Sequence, residues 1–161
     1  MSSPESGLPN IAEILGPALQ RLPREQAPLF IAIAERMAAA RYREWAARVT
    51  EPTSSSELLA CADREEDIAR RVEALYTGSA AIQRDIRTAA PDLEELNRSI
   101  FAGRSLRQQF AIQAQGERAG AATWRSFAEH ETNAQARATF LACAELEEVS
   151  AAVLESLLRG S

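Results

Sequence analysis

Slid over itself by 82 positions, the chain of 161 residues matches without a gap, and this repeat constrains its fold more than any other feature. Leu59-Ala-Cys-Ala-Asp-Arg-Glu-Glu66 lies over Leu141-Ala-Cys-Ala-Glu-Leu-Glu-Glu148. Upstream, Glu35-Arg36 lies over Glu117-Arg118, Ala39-Ala40 over Ala121-Ala122 and Arg43 over Arg125, while Tyr42 and Trp45 meet Trp124 and Phe127. From position 9 to 75 there are 20 identities in 67 aligned positions. Chance likeness between two alanine-rich helices is the competing explanation, but shared Pro, Cys, Glu and Arg positions do not follow from alanine content. The expectation is one domain over 1–161 made of two copies of one unit, 9–75 and 91–157, with residues 1–8 as a flexible N-terminus.

Composition says what the unit is made of. The chain has 32 alanines and only 7 glycines and 7 prolines, with few β-branched residues, so helices are expected throughout. Asn10 and Asp92 are helix N-cap types, each just after a proline. The spacing predicts long helices over about 25–49, 52–76, 105–130 and 133–158. Thr50-Glu51-Pro52 and Thr132-Asn133 break each pair into a hairpin. A connector of about thirty residues, flanked by Thr77-Gly78-Ser79 and Gly103 and partly helical at 91–101, joins the two hairpins. Short links within hairpins and one long link between them describe an all-α, four-helix bundle with a crossover and short accessory helices.

Stepping along each long helix by three and four residues gives its buried stripe. The first helix offers Ile31, Glu35, Ala38, Tyr42, Trp45 and Val49, and the second Leu58, Cys61, Glu65, Ile68, Val72 and Leu75. The third offers Phe110, Gln113, Glu117, Gly120, Trp124 and Phe127, and the fourth Phe140, Cys143, Glu147, Ser150, Leu154 and Leu157. Each stripe carries one glutamate near its middle. Glu65 follows Glu35 by 30 residues and Glu147 follows Glu117 by 30, so an antiparallel hairpin sets each pair at one height. Four carboxylates then converge on one level of the core. A stripe displaced by one position would leave them solvated instead, and Glu66 and Glu148 repeat equally well. Those two have a structural role open to them, as partners of Arg36 or Arg118 across each hairpin.

Ionised glutamates do not sit together in an apolar interior unaided, because each desolvated charge costs on the order of several kcal/mol and like charges add to it. The remedies are a cation, arginine partners, or protonation through a raised pKa. Oxygen ligands favour hard divalent ions, or iron and manganese. The small residues at 38–40 and 116–122 offer another use, a cavity where Tyr42, Trp124 and the carboxylates hold a small organic ligand.

The pattern Glu35-x-x-Ala-x-x-x-Tyr42, with Glu65-Glu66 before Ala69, resembles a ferritin-like bundle of the rubrerythrin type, and residues 140–154 are similar to that family's last helix. The resemblance covers about residues 27 to 158. It implies a di-iron site with a glutamate from each of the first and third helices and a Glu-x-x-His pair from each of the second and fourth. Carried over by position, Glu35 and Glu117 are terminal ligands, Glu65 and Glu147 bridge, and Tyr42 matches a tyrosine one heptad after the first ligand. Where that family has histidine this chain has Ile68 and Ser150, and no Cys-x-x-Cys module accompanies the bundle. The implied function is a histidine-free four-glutamate site for iron or manganese, linked to iron or peroxide handling. The alternative is a metal-free scaffold without activity, and whether the chain is an enzyme is left open.

The remaining features exclude more than they assign. His130 is the single histidine and is expected on the surface at a helix C-terminus. Cys61 and Cys143, on opposite sides of the glutamate level and about 12 Å apart, are expected as buried thiols beyond disulfide reach. A net charge of −5 gives no basic surface for nucleic acid. No apolar run has the length of a membrane span and the first ten residues lack a signal-peptide pattern, so a cytoplasmic protein is expected. Leu8, Leu15, Leu19 and Leu22 are free either to join the core or to form the helix face of a homodimer.

Overall fold

A computed structural model of the chain describes residues 7–160; most of the 1–8 terminus expected to be flexible lies outside the described residues. Among them are seven α-helices and no strands: α1 (Ile11–Gln20), α2 (Ala27–Arg48), α3 (Pro52–Glu73), α4 (Ser79–Ala89), α5 (Leu93–Phe101), α6 (Leu106–His130) and α7 (Ala134–Arg159), with a 3-10 turn at Arg24–Gln26 before α2. Capping chemistry fixes most of the starts. Asn10 accepts from the Glu13 N–H, Glu51 from Thr53 and Ser54, and Asn133 from Ala136, while Ser105 and Gln108 form a reciprocal capping box. Asp92 stands at the start of α5 but its side chain makes no cap bond.

Two helical pairs, α2 with α3 and α6 with α7, form the body of the molecule. Three-residue links at 49–51 and 131–133 make each pair antiparallel. Between the pairs, Arg41 of α2 meets Gln113 of α6 while Trp45 meets Gln109, so partner numbers fall on α6 as they rise on α2 and those helices are also antiparallel. With both hairpins antiparallel, α3 and α7 oppose one another too, and the chain needs a long crossover to start α6. That crossover is two helices rather than the single one expected. Gly78, in the left-handed region at φ 72°, turns the chain into α4, whose buried Gln83 and Ile86 dock against α2.

The core divides into two apolar clusters. One gathers Phe30, Ile33, Ile68, Trp124, Phe140 and Cys143, and the other Tyr42, Trp45, Leu58, Cys61, Phe110 and Leu154. Between them lies the layer of glutamates. Leu15 is buried, and Leu8, Leu19 and Leu22 pack on the same clusters, so these leucines serve the chain's own core. No helix of the described residues is long and apolar enough to cross a membrane.

Candidate metal centre

All four stripe glutamates are interior: Glu35 is 7% exposed, Glu65 0%, Glu117 1% and Glu147 2%. Nothing about glutamate favours these positions. They are inside because the long apolar stripes above and below them bury the whole helix face. Glu35, Glu65 and Glu147 each place a carboxylate oxygen within 4.8 Å of the other two. Glu117 completes the layer from α6, and its charge bears on all three.

The four differ in what donates to them. Glu117 Oε1 accepts from the Tyr42 hydroxyl at 2.6 Å and from Gln113 Nε2 at 2.8 Å. Glu147 Oε1 accepts from Trp124 Nε1 at 2.9 Å. Among the described residues no N–H or hydroxyl donor reaches either oxygen of Glu65, or Oε2 of Glu117, and the hydrogen-bonding neighbour of Glu65 is another carboxyl group, Glu35. A buried carboxylate with two orphaned oxygens is costly, and its nearest polar neighbours are other carboxylates. Burial pushes Glu65 and Glu147 well above the usual glutamate range, reinforced by neighbouring negative charge, and burial also raises Glu35. The Tyr42 phenol is likewise raised, first by burial and then by Glu117, which keeps it a hydrogen-bond donor.

Gly120 makes room for this layer. A Cβ built there would stand 2.7 Å from Glu147 Oε1, so any side chain at 120 would push the carboxylate away. Beyond Gln113 the network continues outward. Arg41 donates Nη2 at 2.8 Å and Nε at 3.2 Å to Gln113 Oε1, and Nη1 to Asn97 Oδ1 at 2.8 Å, while its guanidinium sits 3.8 Å over the Phe101 ring. Burial lowers Arg41 to about 10, and its hydrogen bonds go to the neutral amides Gln113 and Asn97. Arg41 and Asn97 were missed by the stripe reading. Arg41 precedes Tyr42 at the stripe's edge, and Asn97 reaches the site from α5, where no periodicity points to it.

The two positions at which the resemblance would place histidine are occupied otherwise. Ile68 is fully buried in the apolar cluster with Cys143 and Phe140. Ser150, also fully buried, accepts from Arg64 Nε at 3.0 Å, and Arg64 Nη2 reaches Cys61 Sγ at 3.1 Å. Burial raises both thiols, Cys143 to about 12, and both cysteines are free. His130 is exposed at the last residue of α6 with Nδ1 against the Ser126 carbonyl, away from the glutamates. Glu66 bonds Arg36 as expected and also Arg43, whereas Glu148 bonds Arg125 in place of Arg118, which turns to Glu155.

Can these residues fit a cation? The donor set is all oxygen, three carboxylates stand with an oxygen each within 4.8 Å of the others, and both oxygens of Glu65 lack an N–H or hydroxyl donor among the described residues. That is the chemistry of a hard divalent site, or of iron and manganese in an oxygen-rich environment. Compared with models of protein families, with curated proteins and with solved structures, the chain matches none.

Proposed function

We propose that the chain is a ferritin-like four-helix bundle of the rubrerythrin type, built from a duplicated hairpin, whose glutamates hold one or two divalent ions, iron or manganese, without histidine. Glu65 carries the proposal: a fully buried carboxylate that meets no N–H or hydroxyl donor among the described residues needs a partner, and three more carboxylates surround the same space. Glu65 and Glu147 would bridge and Glu35 and Glu117 would cap. Bound there, such an ion would supply Lewis acidity and, for iron or manganese, a redox couple for iron or peroxide handling.

The chain's own residues hold and tune the site. Tyr42 and Gln113 fix Glu117, Trp124 fixes Glu147, and Gly120 leaves the carboxylate its space. Ile68 and the apolar cluster around it exclude water from one end of the layer, while Ser150, Arg64 and Cys61 make the other end polar. Crystals of chelator-treated protein soaked in Mn(II) test the proposal by anomalous scattering. A peak among Glu35, Glu65, Glu117 and Glu147 is expected, and a featureless map there at saturating metal would overturn it.

A second reading has its own observation. Burial raises three of the glutamates, so protons shared among them can neutralise the layer with no metal, leaving an interaction scaffold. On that reading Glu35→Gln with Glu117→Gln stabilises the fold, and a fall in melting temperature for the double variant contradicts it.

A further inference from the structure

A cavity of about 170 Å³ lies between α1, α2 and α6 and ends on the glutamate layer. Ile11, Leu15 and Leu19 of α1 and Phe30 and Ile31 of α2 form its apolar wall, and Glu35, Glu117 and Glu147 form its floor. It exists because the helices facing it carry small residues. Ala34 and Ala38 on α2, and Gly116, Ala119 and Gly120 on α6, leave the space unfilled. Gly116 also sets how closely α1 approaches, since a Cβ there would meet Ile11 Cδ1 at 2.8 Å. Ala12, which lines the cavity, is also exposed, so the wall at that point is one residue thick.

We propose that this cavity binds a small neutral amphiphile: a compact apolar body of about phenol size carrying one hydroxyl. Size comes first. A cavity of roughly 150 Å³ lined by apolar side chains suffices for benzene in other proteins, and this one is slightly larger with a polar floor. The polar end then selects the head group. Glu35, Glu117 and Glu147 line that floor with carboxylates, so a hydroxyl there has acceptors to donate to. Arg41 lines the same cavity with a positive charge, and guanidinium offers five N–H donors, three of which are engaged by Gln113 and Asn97. A hydroxyl both donates and accepts and adds no charge to a space holding both signs. A carboxylate head would face three glutamates, whereas a hydroxyl donates to them without bringing a second cation beside Arg41.

The proposal goes beyond the metal reading and does not depend on it, because its test uses chelator-treated protein. The full chain is titrated with 4-fluorophenol and, separately, with fluorobenzene, followed by fluorine NMR. Saturable binding of 4-fluorophenol is expected with a Kd on the order of 0.1–1 mM, ordinary for so few heavy atoms. Fluorobenzene is expected to bind about tenfold more weakly, which is about 1.4 kcal/mol. Ala34→Leu and Ala119→Leu fill the cavity from opposite helices, and each is expected to weaken 4-fluorophenol by more than about tenfold. Intermolecular NOEs from the bound ring to the Ile11 and Ile31 methyl groups are expected in the unsubstituted protein, so the assignment stands apart from how either variant folds. Non-saturable binding, equal affinity for fluorobenzene, absent NOEs, or undiminished binding by both folded variants would each overturn the proposal.

Discussion

The two hairpins agree on their outer faces and differ inside. Arg36–Glu73 in α2–α3 recurs as Arg118–Glu155 in α6–α7, and Arg43–Glu66 as Arg125–Glu148, each shifted by the same 82 positions. Around the glutamates the correspondence fails. Tyr42 of the first hairpin donates across to Glu117 of the second, whereas its counterpart Trp124 donates within its own hairpin to Glu147. Cys61 has Arg64 and Ser150 beside it, while the equivalent neighbourhood of Cys143 holds Leu146 and Ile68. The glutamates are therefore common ground between two apolar clusters that differ in their polar content: Arg64 and Ser150 stand beside Cys61, and Leu146 and Ile68 in the equivalent places by Cys143. Ion pairs on an exposed helix face need only charge and spacing to recur. Interior partners must fit shape and satisfy every polar atom, so a single change there redirects its neighbours.

That contrast can be broken or sharpened at several points. The largest effect is expected at the apolar end. Trp124→Phe removes the indole donor to Glu147 Oε1 and leaves a void, costing about 2–3 kcal/mol in denaturant melts. Tyr42→Phe is expected to cost only about 1 kcal/mol, because Gln113 still donates to Glu117 Oε1. Equal losses for the two variants would erase the distinction between the ends. Ile68→His tests the same end with a metal-binding group. It is expected to destabilise the chelator-treated protein by about 1–3 kcal/mol through burial of a polar ring, and to tighten Mn(II) binding, measured by titration. A Ile68→His variant that binds Mn(II) no better than the parent would place Ile68 away from the ion.

The pH dependence of stability reports on the shared layer. Glu35, Glu65 and Glu147 have folded pKa values above those of the unfolded chain, so the native state binds more protons in that range. Stability of the chelator-treated protein is then greatest near the unfolded glutamate value, about 4.3, and falls as pH rises through the raised folded values. The melting temperature is expected to be higher at about pH 5 than at pH 8, and Glu65→Gln should flatten the slope. Glu73, Glu148 and Glu155 are lowered and act in the opposite sense, but only as pH drops below the unfolded value. A flat profile above pH 5 would mean that these glutamates ionise in the folded chain as they do in the unfolded one. The smallest effect is expected outside: Arg43→Ala and Arg125→Ala should each leave the melting temperature nearly unchanged, since both arginines are exposed to solvent.

Much of the core was legible in the sequence because periodicity speaks directly about which helix face is covered. Every glutamate of the four stripes is buried, as are Tyr42, Trp45, Trp124 and Phe140 between and beyond them. The small residues at 38–40 and 116–122 also pointed to a cavity, which lies beside Ala38, Gly116 and Gly120 but is not lined by Tyr42 or Trp124. What escaped was decided by packing between segments far apart in the chain. Nothing in the spacing of α5 says that Asn97 meets Arg41, since that contact depends on where the crossover docks Phe101 under the guanidinium. The helix α4 escaped for a related reason: only Gln83 and Ile86 are buried along it, too few for a stripe to show. The order of hydrogen bonds around the glutamates was equally hidden, because Tyr42 could reach Glu117 only once α2 and α6 were set antiparallel.

The central claim is that the buried glutamates are there for a cation. Titration of chelator-treated protein with Mn(II), following the loss of the free-ion signal by electron paramagnetic resonance, tests it most directly. One or two ions bound per chain are expected, with binding abolished in Glu65→Gln paired with Glu147→Gln while the helical circular dichroism is kept. Undiminished free Mn(II) at every protein concentration, or the same uptake by the double variant, would contradict it.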